Sequence, residues 1–306
     1  MKTTVKFLEK LSSLEDKVYI VTGANSGLGY ETSLNLAYKK AKVIMACRNI
    51  NKAERAKEKI LEKVPGAEID IVKYDQSSFE SIDKFSTYIE ENYQHIDGLV
   101  CNAGVYFPKA DYKTVDNLEL TIGTNYFGVY YLLKKLNLFL ERCASRVVIV
   151  TSLTGFLANK SVDLSEHHKL SRGKIYGYSK YCLSRLCYEL SKENTKVKYY
   201  LTHPGICSTN IISSDQTGLP NWFSKLGHFF LYIFVHSASK ASLTNIVALT
   251  TKESEKVFIK PRGLFAISGY PTLKKMPKYA KENIIEETEK YLKDIKIIEE
   301  NVRWFI

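Results

Sequence analysis

The 306-residue chain has no long apolar run: the longest, Phe229 to Val235, is seven residues, whereas a helix crossing a bilayer needs about 20. It also lacks any block of five or six consecutive basic residues and any basic patch interleaved with aromatics. Its net charge of +11 is therefore read as a solvated surface with no nucleic-acid face. The six cysteines never fall in a Cys-x-x-Cys spacing, and several sit inside apolar runs. That argues against a disulfide framework or a cysteine-based metal site and suits a reducing compartment. No low-complexity tract, internal repeat or linker interrupts the chain, which points to one domain. The start, MKTTVKFLEKLSSLEDK, contains neither an uninterrupted apolar core nor a small-residue cleavage site, so secretion is not expected and a cytoplasmic location is. Val5, Phe7, Leu8, Leu11 and Leu14 make residues 1–14 a short amphipathic arm, expected to pack on the domain, with a peripheral membrane contact as the second reading.

What is present is an alternation. Apolar, β-branched runs (KVYIVTG, KVIMAC, EIDIVKYD, DGLVCNAG, RVVIVTS and VKYYLTHPG) are separated by stretches of helical period: Leu28 to Lys40, Lys52 to Val64, Phe79 to Tyr93, Leu118 to Leu140 and about Tyr176 to Asn194. This rhythm predicts an α/β fold with a doubly wound parallel sheet. The domain is expected to span 15–306, with a small C-terminal substrate-binding extension. In that extension, helices are expected at about Ala238 to Thr251 and Pro277 to Glu300, and a short strand near FAISG.

The segment TGANSGLG places Gly23, Asn25, Ser26, Gly27, Leu28 and Gly29 between the first strand and the first long helix. Glycines there let the backbone turn sharply and approach a pyrophosphate, which sits against the free N–H groups of the helix start. The second strand ends Ala46-Cys47-Arg48-Asn49 with no carboxylate to hold a ribose diol. Arg48 offers instead a planar fork suited to a 2′-phosphate, so NADP(H) is the expected cofactor.

A tyrosine followed four residues later by lysine occurs six times, at Tyr38, Tyr130, Tyr131, Tyr176, Tyr188 and Tyr270, so the spacing alone selects nothing. Context selects Tyr176. It precedes Lys180 on a helix that follows a strand ending in Ser152 and leads to a strand ending in His203-Pro204-Gly205. A tyrosine is a poor base at neutral pH, but a cation one helical turn away favours its phenolate. In this order, with Asp75 after the third strand, Asn102-Ala103-Gly104 after the fourth and Asn125 in the next helix, the chain resembles the short-chain dehydrogenase/reductase family over roughly residues 15–210. The stretch DLSEHHKLSRGKIYGYSK and the ACRN after the second strand resemble its retinol dehydrogenase-like branch.

The resemblance implies a Rossmann fold and a catalytic set of Asn125, Ser152, Tyr176 and Lys180. Tyr176 would move the proton, Ser152 orient the substrate oxygen, Lys180 also hold the nicotinamide ribose, and Asn125 hold a water linking Lys180 to solvent. It further implies cofactor contacts from Asn49, Asp75, Gln76, Asn102, Ala103, Gly104, Pro204, Gly205, Ile206 and Thr209, and a homodimer or homotetramer through the helices near Asn125 and Tyr176. Short runs such as LVCNAGVYFP also resemble light-dependent protochlorophyllide reductase, which has a cysteine at the place of Cys182, although a packed helix cysteine is the preferred reading.

Specificity is expected in a segment of about 206–236, where Trp222, Phe223, Leu226 and the run Phe229 to Val235 predict a lid over a lipophilic carbonyl or alcohol, with a membrane contact as the alternative. Phe156, Leu157 and Tyr178 are expected to join that wall. No metal is expected, because adjacent His167 and His168 lack ligand spacing and read as a surface loop. The rival functional reading is a catalytically silent NADP-binding regulatory protein.

Overall fold

The computed structural model describes residues 2–106, 113–158, 162–193, 195–205, 237–253, 258–263, 266–277 and 283–297. One eight-stranded sheet organises them in the order β3-β2-β1-β4-β5-β6-β7-β8. The first six strands are β1 (Val18–Thr22), β2 (Lys42–Cys47), β3 (Ile69–Lys73), β4 (Gly98–Cys101), β5 (Arg146–Val150) and β6 (Lys198–Thr202). All six are parallel, as the alternation predicts. β1 is buried at every position because helices cover both faces of the sheet, and such a strand reads as continuous apolar sequence.

The edge differs from expectation. β7 (Phe258–Pro261) continues the parallel order, and β8 (Pro271–Lys274) pairs with it antiparallel. The strand expected near FAISG is instead part of their connection: Ala266 has φ +59, Gly269 has φ +122, and the Gly263 N–H is bonded to the Ser268 carbonyl. β7 and β8 are each four residues long with a proline at one end, which weakens their sequence signal.

On one face lie α1 (Lys2–Glu9), α2 (Gly27–Tyr38) and α3 (Ile50–Lys63). On the other is α4 (Phe79–Asn92), followed by a helix broken into α5 (Leu120–Ile122), a π-helical turn (Gly123–Phe127), α6 (Gly128–Lys135) and α7 (Asn137–Arg142). Next come α8 (Leu153–Phe156), a 3₁₀ turn (Leu164–Lys169) and α9 (Arg172–Leu190). The chain then adds α10 (Ala238–Ala241), α11 (Leu243–Thr250) and α12 (Ile284–Asp294), the last shorter than the sequence pattern suggests.

Each sheet face has its own apolar core, one built around Ile20, Leu99, Phe127 and Leu186, the other around Val21, Leu34, Val148 and Ile246. Each aliphatic side chain fully buried there contributes about 1.5–3 kcal/mol. The N-terminal arm joins the second core: Leu8 and Leu14 are buried, Phe7 stacks on Tyr270, and the Lys39 ammonium bonds the Leu8 and Leu11 carbonyls. Among the described residues no helix is long and apolar enough to cross a membrane.

α12 docks on α9 and on the π-helical turn. Arg185 makes a two-point ion pair with Glu287 at 2.9 and 2.5 Å, and Phe127 stacks on Tyr291. His167 is also buried there, 3% exposed, against Tyr291 and with Nδ1 2.7 Å from the Leu164 carbonyl. The surface-loop expectation is thus corrected for His167, whose place depends on a distant helix, and holds for exposed His168. No metal-binding cluster occurs among the described residues.

Candidate active site

The strand order reverses direction between β1 and β4, and the crevice outside their carboxyl ends is where ligands sit in doubly wound sheets. The glycine turn borders this crevice. Gly23 and Gly27 have φ of +66° and +55°, values that a side chain penalises. A Cβ on Gly29 would stand 2.4 Å from the Gly23 carbonyl oxygen and 2.5 Å from the Asn102 amide. Ser26 precedes α2 without a side-chain cap, so the first N–H groups of that helix are not satisfied by a neighbouring hydroxyl. The arrangement fits a pyrophosphate: a turn only glycine can make, leading to an open helix N-terminus.

Asn102 and Ala103 hold this turn to β4. The Thr22 hydroxyl accepts from both their backbone N–H groups, and the Asn102 side-chain amide donates to the Thr22 carbonyl at 2.9 Å. Gln76 is engaged as deeply. Its amide donates to the Ala103 and Thr124 carbonyls and its oxygen accepts from Tyr74, so its side chain is spent on structure. Asp75 accepts from the Ser77 N–H and hydroxyl.

Beyond the second strand, Arg48, Asn49, Ile50, Asn51 and Lys73 line an open cleft of about 250 Å³. The Asn49 side chain caps α3 by accepting from the Lys52 N–H, while Arg48 is largely exposed, with its Nε 4.0 Å from an Asp75 oxygen. Lys73, anchored at 2.7 Å on the Arg48 carbonyl, puts a second cation at this cleft. The sequence reading missed it because one lysine among many carries no signal until β3 pairs beside β2. Under the turn, Cys47 receives the Ala24 and Asn25 N–H groups, and burial pushes its thiol up to about 11.

At the carboxyl ends of β4 and β5 a second group converges. Lys180 is 6% exposed; its ammonium donates to the Val150 carbonyl at 3.0 Å and lies 5.9 Å from the Tyr176 ring centroid. Burial pushes it down to about 8. Asn125, fully buried in the π-helical turn, accepts from the Val105 N–H and donates to the Val105 carbonyl and the Ser179 hydroxyl. A Cβ on Gly104 would touch both Asn125 and Lys180, at 2.9 and 3.8 Å, so only glycine lets the strand-end loop pass here. Ser152 caps α8, its oxygen accepting from Thr154. Tyr176 lies in the second turn of α9 and meets Tyr106 edge-on at 4.7 Å, a neighbour the sequence reading did not single out.

Two glycines set α8 against α9. A Cβ on Gly155 would stand 3.1 Å from the Lys180 carbonyl carbon, and one on Gly177 would stand 2.9 Å from the Thr154 carbonyl oxygen. This close approach brings the Ser152 end of β5 to the Tyr176 turn of α9. Pro204 and Gly205 follow β6, the neighbour of β5 in the sheet, and Gly205 has φ +84. Ile206, Thr209 and the expected lid at 206–236 lie outside the described residues. Of the expected pocket wall, Leu157 is 83% exposed and Phe156 packs edge-on against Phe258. Tyr178 is corrected: it is 1% exposed, with its hydroxyl donating to the Val162 carbonyl, because its helical position faces the core. Cys182 is buried as expected.

The family model described as short chain dehydrogenase matches residues 17–219. The chain belongs to this family. Retinol dehydrogenase 11 of Mus musculus is 30% identical over 251 residues, 80% of this chain and 76% of that protein, and retinol dehydrogenase 12 of Homo sapiens is 30% identical over 263 residues, 81% of each. A WW domain-containing oxidoreductase of Drosophila melanogaster is 32% identical over 251 residues, 78% of this chain but 60% of the fly protein. Among solved structures, levodione reductase superposes with a TM-score of 0.64 at 22% identity, covering 77% of this chain and 91% of that one. An alcohol dehydrogenase from Thermococcus sibiricus, complexed with 5-hydroxy-NADP, superposes with a TM-score of 0.57 at 21% identity, covering 76% and 88%. These structural likenesses carry the fold. The sequence relatives place the chain in the retinol dehydrogenase-like branch, as an oxidoreductase of small molecules that acts on CH–OH and C=O groups.

Proposed function

We propose that the protein is an NADP(H)-dependent enzyme that interconverts a carbonyl and an alcohol on a lipophilic substrate. Tyr176, Lys180, Ser152 and Asn125 do the proton work. The observation that carries this reading is the buried Lys180 ammonium, held on the Val150 carbonyl one helical turn from Tyr176 and close to Asn125 across Gly104. A buried, charge-disfavoured ammonium beside a tyrosine at a strand-end crevice is the pattern of a functional group.

The cofactor, when bound, supplies or accepts the hydride. Gly23, Asn25, Ser26, Gly27, Leu28 and Gly29 would hold its pyrophosphate, and Asn102, Ala103 and Gly104 its adenosine ribose. The backbone of Asp75 and Gln76 would hold the adenine, and Pro204 and Gly205 the nicotinamide end. In reduction Tyr176 donates its phenolic proton to the carbonyl oxygen while the Ser152 hydroxyl hydrogen-bonds the same oxygen. Lys180 offsets the negative charge left on the phenol, and Asn125 positions the water that returns a proton through Lys180.

Arg48 and Lys73 together support NADP(H) over NAD(H). Arg48→Ala is expected to raise the apparent KM for NADPH about tenfold or more, from loss of a charge-assisted contact of about 1.5–3 kcal/mol, with the KM for NADH nearly unchanged. Equal rises for both in steady-state kinetics would overturn the preference.

The lipophilic substrate rests on the aromatic segment at 222–235. Retinal, steroid ketones, long-chain aldehydes and small quinones offered with NADPH should be reduced faster than small charged carbonyls, read as loss of absorbance at the nicotinamide band. A preference for the charged ones would refute it. NADPH binding without consumption across the panel would favour the silent regulatory reading. Cys182 is buried, with its thiol pushed up to about 12, which favours the packed helix cysteine over the protochlorophyllide reductase-like reading. A second copy packing on α6 and α9 would have to use surfaces that α12 leaves uncovered.

A further inference from the structure

We infer that α12 is a brace for the active site, and that Thr288 and Glu287 are positioning residues for the Asn125–Lys180 pair. The inference rests on the catalytic reading of that pair given above. Two elements carry the proposed proton machinery: the π-helical turn, which presents Asn125, and α9, which presents Tyr176 and Lys180. The two pack directly against each other, and the Asn125 amide donates to the Ser179 hydroxyl at 3.2 Å. α12 ties both from outside.

On the turn, the Tyr126 and Thr288 hydroxyls are 2.5 Å apart, and both residues are 0% exposed. The Thr288 hydroxyl is 2.6 Å from the Ile284 carbonyl, so the pair is anchored in α12's own backbone. Tyr126 directly follows Asn125, and the next residue, Phe127, stacks on Tyr291 of α12 at 5.3 Å. On α9, five residues beyond Lys180, Arg185 takes the Glu287 carboxylate with both Nη atoms, and Glu189 accepts from the Ile284 N–H at 2.7 Å. The two holds come from adjacent residues of α12, Glu287 and Thr288, one reaching each element.

A π-helical turn is a rare, single-turn interruption of an α-helix, frequent at functional sites. Here the turn sets where the Asn125 amide meets Val105 and Ser179. Loosening Tyr126 shifts that amide relative to Lys180, and a misplacement of about 1 Å can cost on the order of 10²-fold in rate. Such a shift acts on kcat, since neither Thr288 nor Glu287 approaches the glycine turn or Arg48.

The test uses the full chain with Thr288→Val, and Thr288→Ser as the rescue. Thr288→Val is expected to lower kcat about tenfold with the NADPH KM unchanged, and Thr288→Ser to restore it. Hydrogen exchange should show the Val105 amide, which Asn125 holds, losing protection in the valine variant. Should the valine variant fail to fold, Glu287→Gln, with the same two readouts, replaces it. Unchanged kcat and unchanged Val105 protection, even with a lower melting temperature, would overturn the inference and leave α12 as packing alone. If the wild-type chain turns over no carbonyl, the catalytic reading fails, and the exchange measurement alone still decides the brace.

Discussion

Replacing Tyr176 with phenylalanine is expected to lower turnover on the order of 10³-fold while NADPH binding and melting temperature stay close to wild type. The change removes one oxygen. The ring's edge contact with Tyr106 and its place above Lys180 remain available to phenylalanine, so the fold loses little. What is lost is the proton that would neutralise the developing alkoxide in reduction, and the neighbouring hydroxyls of that turn are engaged elsewhere, Tyr178 donating to the Val162 carbonyl and Ser179 to the Tyr176 carbonyl. Steady-state kinetics with fluorescence titration of NADPH separates the two effects. Retained turnover, or loss of turnover together with NADPH binding, would remove the central assignment.

The second large effect runs in opposite directions on stability and activity. Lys180→Met is expected to stabilise the cofactor-free protein at pH 7 while reducing turnover at least about 10²-fold. Burial pushes the Lys180 ammonium from the ordinary 10.5 down to about 8, so at pH 7 the folded state carries a charge that its surroundings disfavour. A depression of this size corresponds to roughly 3 kcal/mol, and the Val150 carbonyl's loss of its donor returns about 1, leaving a net gain on the order of 2 kcal/mol.

The pH dependence gives this prediction its sign. Between pH 8 and 10 the unfolded chain still holds the Lys180 proton and the folded chain has released it, so wild-type stability rises with pH. The penalty is complete below pH 8 and disappears above 10.5. Lys134, pushed down to about 7 by burial, slopes the same way but is present in both proteins and cancels in their difference. The advantage of Lys180→Met in denaturant titrations should therefore be largest near neutral pH and shrink toward pH 10. A variant less stable than wild type at pH 7 would show that the buried ammonium is compensated by its surroundings.

Legibility in the sequence followed the range of the interaction. Five of the first six strands were readable because they lie inside the sheet and are buried along nearly their whole length, while the edge strand β3 still carries a β-branched apolar pattern. β7 and β8 were not, being four residues long, proline-bearing and defined only by pairing with each other and β6. The glycine turn was readable because a positive φ and a close backbone approach demand glycine at fixed positions. Gly155 and Gly177 had no such local signature. They matter because α8 crosses α9, a contact between segments that the sequence does not align. The buried places of His167 and Tyr178 likewise depended on which helix face met the core and on where α12 landed.

Sequence alone determined the α/β alternation and the family, and nominated Asn125, Ser152, Tyr176 and Lys180 as candidates, because glycine-turn and strand-end motifs act over a few residues and their order along the chain matches the family. Tertiary structure decided that Lys180 is buried on the Val150 carbonyl with a depressed proton affinity, that Lys73 joins Arg48 at the cleft, and that α12 grips both halves of the site. Those three facts depend on desolvation and on contacts up to 160 or so residues apart, such as Tyr126 with Thr288. Such distances are set only when the whole sheet and its helices pack together.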